Sequence, residues 1–145
     1  MDENLEMLEY IVKNAEMGMY SSNKLIELLS DKENKIRKVV EGILKGYENY
    51  YKESKKLIKK YTDDVKENGV MAKMSSSMMM KMDVMKDNSD ANIAHILTQG
   101  LTMGVVDITS KIDRFEKDAD KKIINMAKDY LKFQKESIDF LKDYL

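Results

Sequence analysis

Three acidic side chains and a run of thioethers are the residues of this sequence best suited to chemistry. Glu16 and Glu48 fall midway along two long helical stretches, and Asp107 falls within a third. Counted from the turn at Ser30, at about 1.5 Å of rise per residue, Glu16 and Glu48 come within roughly one helical turn of the same level. Carboxylates converging from facing helices suit a hard divalent or ferric ion, so Glu16, Glu48 and Asp107 form a candidate metal set. On a helical wheel Glu16 sits roughly 80° and Glu48 roughly 110° from the apolar centre of its helix. Such boundary and surface positions ordinarily hold solvated or salt-bridging glutamates. Asp107 differs, because Ile93, Leu97, Gly100, Gly104 and Ile108 share its face. It is expected to point inward and to need a hydrogen-bonding or cationic partner, with Tyr47, Tyr50, Tyr51 and Tyr130 available. Gln99, Gly100, Thr102, Gly104 and Asp107 then outline a small polar notch able to take a ligand.

The stretch Val70–Lys86 holds seven methionines, of which Met71, Met74, Met78, Met82 and Met85 share a helical stripe. Met71-x-x-Met74 with Met78 could gather three soft sulfur ligands for Cu(I). Methionine is also an adaptable core filler, and a methionine face accepts partner helices. Packing is the first expectation and a protein partner the second. His95, the sole histidine, turns away from the apolar face and has no cysteine, aspartate or second histidine at ligand spacing. No phosphate-cradling glycine loop and no nucleophile–base pair is present, so nothing marks the chain as an enzyme.

The elements that must position these residues are all helical. The 145 residues contain no proline and six glycines, which permits long uninterrupted helices. Charge is interleaved, with 25 basic and 26 acidic residues, which argues against a nucleic-acid surface. Cysteine is absent, excluding disulfides and thiolate metal sites. The N-terminus lacks the layout of a secretory signal, and the uncharged run Ala91–Val106 is too short and polar to span a bilayer. A cytoplasmic protein without a membrane partner is the expectation.

Apolar periodicity predicts one domain over 1–145, with long helices at about 2–29, 31–66, 90–113 and 118–144 and a short one at about 70–86. Ser30-Asp31-Lys32 offers a cap within a tight turn, Asn68-Gly69 a glycine stop, and Asp87-Asn88-Ser89-Asp90 a break and a cap. Ala91–Val106, sixteen residues without a formal charge, reads as the buried central helix. The last helix carries a second apolar row, Ile124, Leu131 and Ile138, which should cover the methionine helix or meet another subunit. That row, or the Gly42–Gly46 face, would make a homodimer.

Two antiparallel hairpins joined by a connector of roughly 20 residues form a bundle with one long crossover. In this layout the chain resembles the ferritin-like superfamily. The resemblance implies an all-α, ferritin-like four-helix bundle with a methionine-rich crossover helix. Metal-binding members carry a glutamate on each of two helices and Glu-x-x-His on each of the other two. Here Glu16 and Glu48-x-x-Tyr51 stand on the first two helices, Asp107 on the third, and the fourth has no Glu-x-x-His. The expected role is therefore a non-catalytic structural or protein-interaction module without a cofactor. The alternative is a di-metal carboxylate bundle of oxidoreductase or metal-storage ancestry.

Overall fold

The computed structural model describes residues 2–29, 34–66 and 68–145, and of Val70, Met71 and Ser77 the backbone alone. Among these residues the chain is all-helical, with no strand. Five α-helices follow in order: α1 (Glu3–Leu28), α2 (Arg37–Ile58), α3 (Val70–Lys86), α4 (Asp90–Phe115) and α5 (Lys121–Leu141), with a closing 3₁₀ turn at Lys142–Tyr144.

Contacts at the helix ends fix the directions. Asn34, just ahead of α2, donates to the Asp90 carboxylate at the start of α4 (2.7 Å). The Asp120 amide ahead of α5 donates to Asn4 at the start of α1 (2.6 Å) and the Tyr61 hydroxyl beyond α2 donates to the Asp120 carboxylate (2.7 Å). Lys111 late in α4 lies 3.9 Å from Glu6 early in α1. Thus α1 and α5 run one way, α2 and α4 the other, and α3 carries the chain back from the end of α2 to the start of α4. The closest pairings are α1 with α2 and α4 with α5; α1 also meets α3, α4 and α5, and α2 meets α5.

That pattern makes α1, not the uncharged helix, the hub of the core. It buries Met7, Leu8, Ile11, Val12, Ala15, Glu16, Ser22 and Leu25. In α4 the buried stripe is Ile93, Ala94, Leu97, Leu101, Gly104, Ile108, Ile112 and Phe115, while His95, Gln99, Thr102, Met103 and Val106 are exposed. Absence of charge there marks an outer face without ions, not a helix surrounded by others.

Several boundaries depart from expectation. The cap expected at Ser30-Asp31-Lys32 lies outside the described residues. The second helix begins at Arg37, not residue 31, because Ile36 is buried, Asn34 is tied to α4, and Arg37 donates to the Leu29 carbonyl at the end of α1 (2.5 Å). It ends at Ile58, not Lys66. Lys60 and Tyr61 donate to carbonyls three residues back, and that tightening turns the chain out of the helix. Gly69 does not stop α2; it is the extended N-cap of α3, with φ −71°. Ser89 caps α4 by accepting from the Asn92 amide (3.2 Å). In α5 the buried face is Ile123, Ile124, Ala127, Tyr130, Gln134, Ser137 and Leu141. Ile124 is therefore inside the core, and Leu131 and Ile138 rest half-buried against it. The row expected to meet α3 or a partner is absorbed by its own bundle, because the buried face of α5 includes Gln134 and leaves Phe140 outside.

Three helical glycines admit close approach. A β-carbon at Gly18 would collide with the Tyr47 ring, one at Gly46 with the Phe133 ring, and one at Gly104 with the Gln134 amide. Gly100, four residues from Gly104, has open space around it. Gly100→Ala is therefore expected to stabilise the fold by about 0.5–1 kcal/mol through helix propensity. Gly18→Ala should destabilise it by about 1–3 kcal/mol, because a buried ring has nowhere to move. Urea unfolding of both variants checks the opposite signs.

Candidate functional site

Among the described residues the buried acid is Glu16, and Asp107 is exposed, the reverse of what the helical wheels suggest. Glu16 is 3% exposed. The crossover closes over it: Asn68 donates to its Oε1 from both the backbone amide and the side-chain amide, each at 3.0 Å, and Lys73 Nζ lies 3.4 Å from the same oxygen. Asn68 also donates to the Lys13 carbonyl (2.7 Å). A position that would be half-solvated on a bare hairpin becomes interior once the connector lies across it. At the other end of α3, Asn92 donates to the Asp83 and Asp87 carbonyls, at 3.3 and 2.6 Å. The crossover helix is thus pinned at both ends, and between them it buries Met80 and Val84.

Glu48 is exposed, yet it lines the same surface groove as Glu16, together with Met19, Tyr20, Tyr51 and Lys73, about 470 Å³ in volume. Lys52, Lys55, Lys56 and Lys59 extend the groove along α2. Asp107 does not line this groove; it is exposed on α4 near Tyr10, whose ring lies 5.2 Å from Lys111 Nζ. The set Glu16–Glu48–Asp107 is therefore not assembled, and no group of three or more acidic or histidine ligands occurs among the described residues. With an ammonium already on the Glu16 carboxylate, the remaining pair does not fit a di-metal centre. The proposed notch does not form either. Gln99, Gly100, Thr102 and Asp107 are exposed, and Gly104 alone is buried, occupied by Gln134.

What fills the bundle is an aromatic knot of rings that lie on the helix seams periodicity predicts, joined by polar side chains that periodicity did not reveal. Tyr47 and Tyr50 of α2 pack against Tyr130 and Phe133 of α5, with ring centroids 5.0–6.3 Å apart. The Tyr130 hydroxyl donates to Asn14 Oδ1 (2.5 Å), which also accepts from Gln134 Nε2 (3.2 Å). Gln134 lies within hydrogen-bonding range of Tyr47. Tyr10 Oη and Gln134 Oε1 are buried and have no partner among the described residues. Burial pushes the Tyr47 and Tyr130 hydroxyls up from their ordinary range, and burial followed by the Asp107 charge does the same for Tyr10. The signal for the knot was present as a glutamine four residues past Tyr130, on the seam.

The methionine face is the other feature. Met74, Met78, Met79, Met82 and Met85 are each more than half exposed. The side chain of Met71, the first residue of the Cu(I) cluster considered above, lies outside the described set. No described helix is long and apolar enough to cross a membrane. Comparison with known proteins returns no matching family, no matching characterised protein and no matching solved structure.

Two outcomes follow from this geometry. Glu16→Ala should destabilise the fold by about 2–3 kcal/mol, the range for losing hydrogen bonds to a buried charge. It should also abolish hydrogen-exchange protection of the Asn68 amide, whereas Glu16→Gln, which keeps an acceptor, should retain part of both. The tyrosines set an alkaline limit. An unfolded tyrosine ionises near about pH 10, whereas the folded knot favours the neutral form. The stabilisation is complete below that pH and is lost as pH rises above it. In a titration of tyrosinate absorbance, Tyr10, Tyr47 and Tyr130 should ionise only together with loss of helix. Ionisation of all eight tyrosines with the helices intact would overturn this.

Proposed function

We propose that the chain is a non-catalytic interaction module of ferritin-like arrangement, in which the crossover helix α3 presents a thioether surface to a partner helix. The observation that carries this reading is the exposure of α3. A helix added for packing buries its methionines, but among the described methionine side chains of α3 one, Met80, is buried and five are exposed. Met74, Met78, Met82 and Met85 fall within one arc of the helix, as i, i+4, i+8 and i+11 positions do. Unbranched, polarizable side chains of this kind adapt to the shape of an apolar helical ligand. The ferritin-like part of the reading is supported by the single long crossover and by the shared direction of α2 and α4. Carboxylate chemistry has less support, since Glu16 is engaged in holding the crossover in place.

The test is photo-crosslinking from α3 in the cells that make the protein. A diazirine analogue of methionine at positions 78 and 82 should give discrete adducts with a second protein, and one at the buried Met7 should not. With the probe kept at position 78, replacing Met74, Met82 and Met85 by glutamine should remove the adducts while changing stability by less than about 0.5 kcal/mol, as surface substitutions do. Adducts within the chain alone, or unfolding of the triple variant, would overturn the proposal.

A further inference from the structure

The groove between α2 and α5 holds a glycine that nothing inside the chain explains. Gly42 lies in the second turn of α2, inside the helix, where glycine costs about 1 kcal/mol relative to alanine. Gly18, Gly46 and Gly104 each admit a neighbouring side chain, but a β-carbon at Gly42 would meet nothing within 4 Å. The space opens into an apolar groove of about 410 Å³, floored by Ile43, Gly46 and Phe133. At one end of that groove stands Phe140, 64% exposed, the most exposed aromatic ring of the core-forming helices. An exposed ring and an empty notch thus lie on the same face.

We infer that this face binds a second copy of the chain about a two-fold axis, each Phe140 entering the open notch at Gly42 of the other, next to the Phe133 ring that already covers Gly46. Three features favour a second copy over a different partner. Knob and hole occur together, which is what an isologous contact requires, since the same patch must complement itself. The groove is lined by one charge of each sign, Lys38 on α2 and Glu136 on α5, and the inferred two-fold would set each lysine against the glutamate of the other copy. The one described ion pair of Glu136 is a 3.9 Å contact to Lys132 on its own helix, which leaves the carboxylate free to turn. A lining with no net charge gives a strongly basic or acidic partner nothing to hold. The centre of the contact would be an aromatic ring in a closed pocket, the kind of residue that dominates association energies.

The experiment is sedimentation and light scattering of the full chain from low micromolar to about 100 μM, a range spanning ordinary reversible dimers. Wild type should be a dimer at the upper end. Gly42→Leu, whose β-carbon meets nothing in the monomer, projects into the notch, so it should be monomeric and, through helix propensity, should melt at a higher temperature than a wild-type monomer. Phe140→Ala should weaken association at least about thirtyfold, the loss expected for an aromatic anchor worth 2 kcal/mol or more. Lys38→Glu and Glu136→Lys should each weaken association, and the double variant should restore it. A wild-type monomer at 100 μM, a dimer indifferent to Gly42→Leu and Phe140→Ala, or a double charge swap no tighter than the single ones would overturn the inference.

Discussion

Rings seated on glycines hold the long helices of this protein together, one contact within the first hairpin and one between the two hairpins. Tyr47 lies against Gly18 of α1, and Phe133 of α5 lies against Gly46 of α2. Each glycine lets an aromatic side chain approach a helix backbone where any β-carbon would hold it off. Both rings belong to one cluster with Tyr50 and Tyr130, so α1, α2 and α5 are fixed in one packing event. Asn14 and Gln134 then give that apolar wedge a polar floor, and Gly104 admits α4 to it. Interior packing at this density tolerates few alternatives, so the wedge sets the spacing of the long helices. Everything outside it, including the groove beside Gly42, inherits that spacing.

The crossover is attached by a different physical means. Little apolar area joins α3 to the bundle, with Met80 and Val84 its buried side chains among those described. Direction and register come instead from polar contacts at the two ends, Asn68 and Lys73 on Glu16 and Asn92 on the last turn of α3. A buried carboxylate is costly unless hydrogen-bonded and paired, so Glu16 favours the arrangement in which the connector covers it. A segment held by a few directional contacts over a small apolar area opens more readily than the core does. That combination suits a surface that must adapt to what it binds.

Helix number, type and the main seams were legible because they follow from the 3.6-residue period. Val40, Ile43, Tyr47, Ser54 and Leu57 on α2 are buried where periodicity puts them. What periodicity does not carry is the rotation of each helix about its own axis when apolar residues occupy more than half its circumference. On α4, Gly100, Gly104 and Asp107 share an arc with Ile108, and nothing in the wheel says whether that arc or the one toward Leu101 and Ile112 faces inward. Glycine was uninformative for the same reason, since it looks alike at a close contact (Gly104) and at an open surface (Gly100). Glu16 was misread because its environment comes from Asn68 and Lys73, more than fifty residues away. On α5 hydrophobicity points to Phe133, which does pack on Gly46, but not to its neighbour Gln134, which is buried. Gln134 is inside because Asn14 gives it a partner.

The two proposed surfaces occupy different walls of the bundle, and that separation has a consequence. Helix α3 lies on α1 and α4, whereas the groove around Gly42 lies between α2 and α5. A pair of chains joined through α2 and α5 leaves both crossover helices uncovered, one on each outer side of the assembly. Two weak helix-binding faces on one rigid body convert the second engagement into an intramolecular step, with a gain set by the distance between the sites on the partner. Under the two proposals, adaptable thioether contacts, individually weak, would acquire selectivity in this way, because only a partner bearing two suitably spaced helices would gain from both. The rigidity needed for such spacing comes from the aromatic wedge, and the compliance needed at each end comes from the sparsely packed crossover.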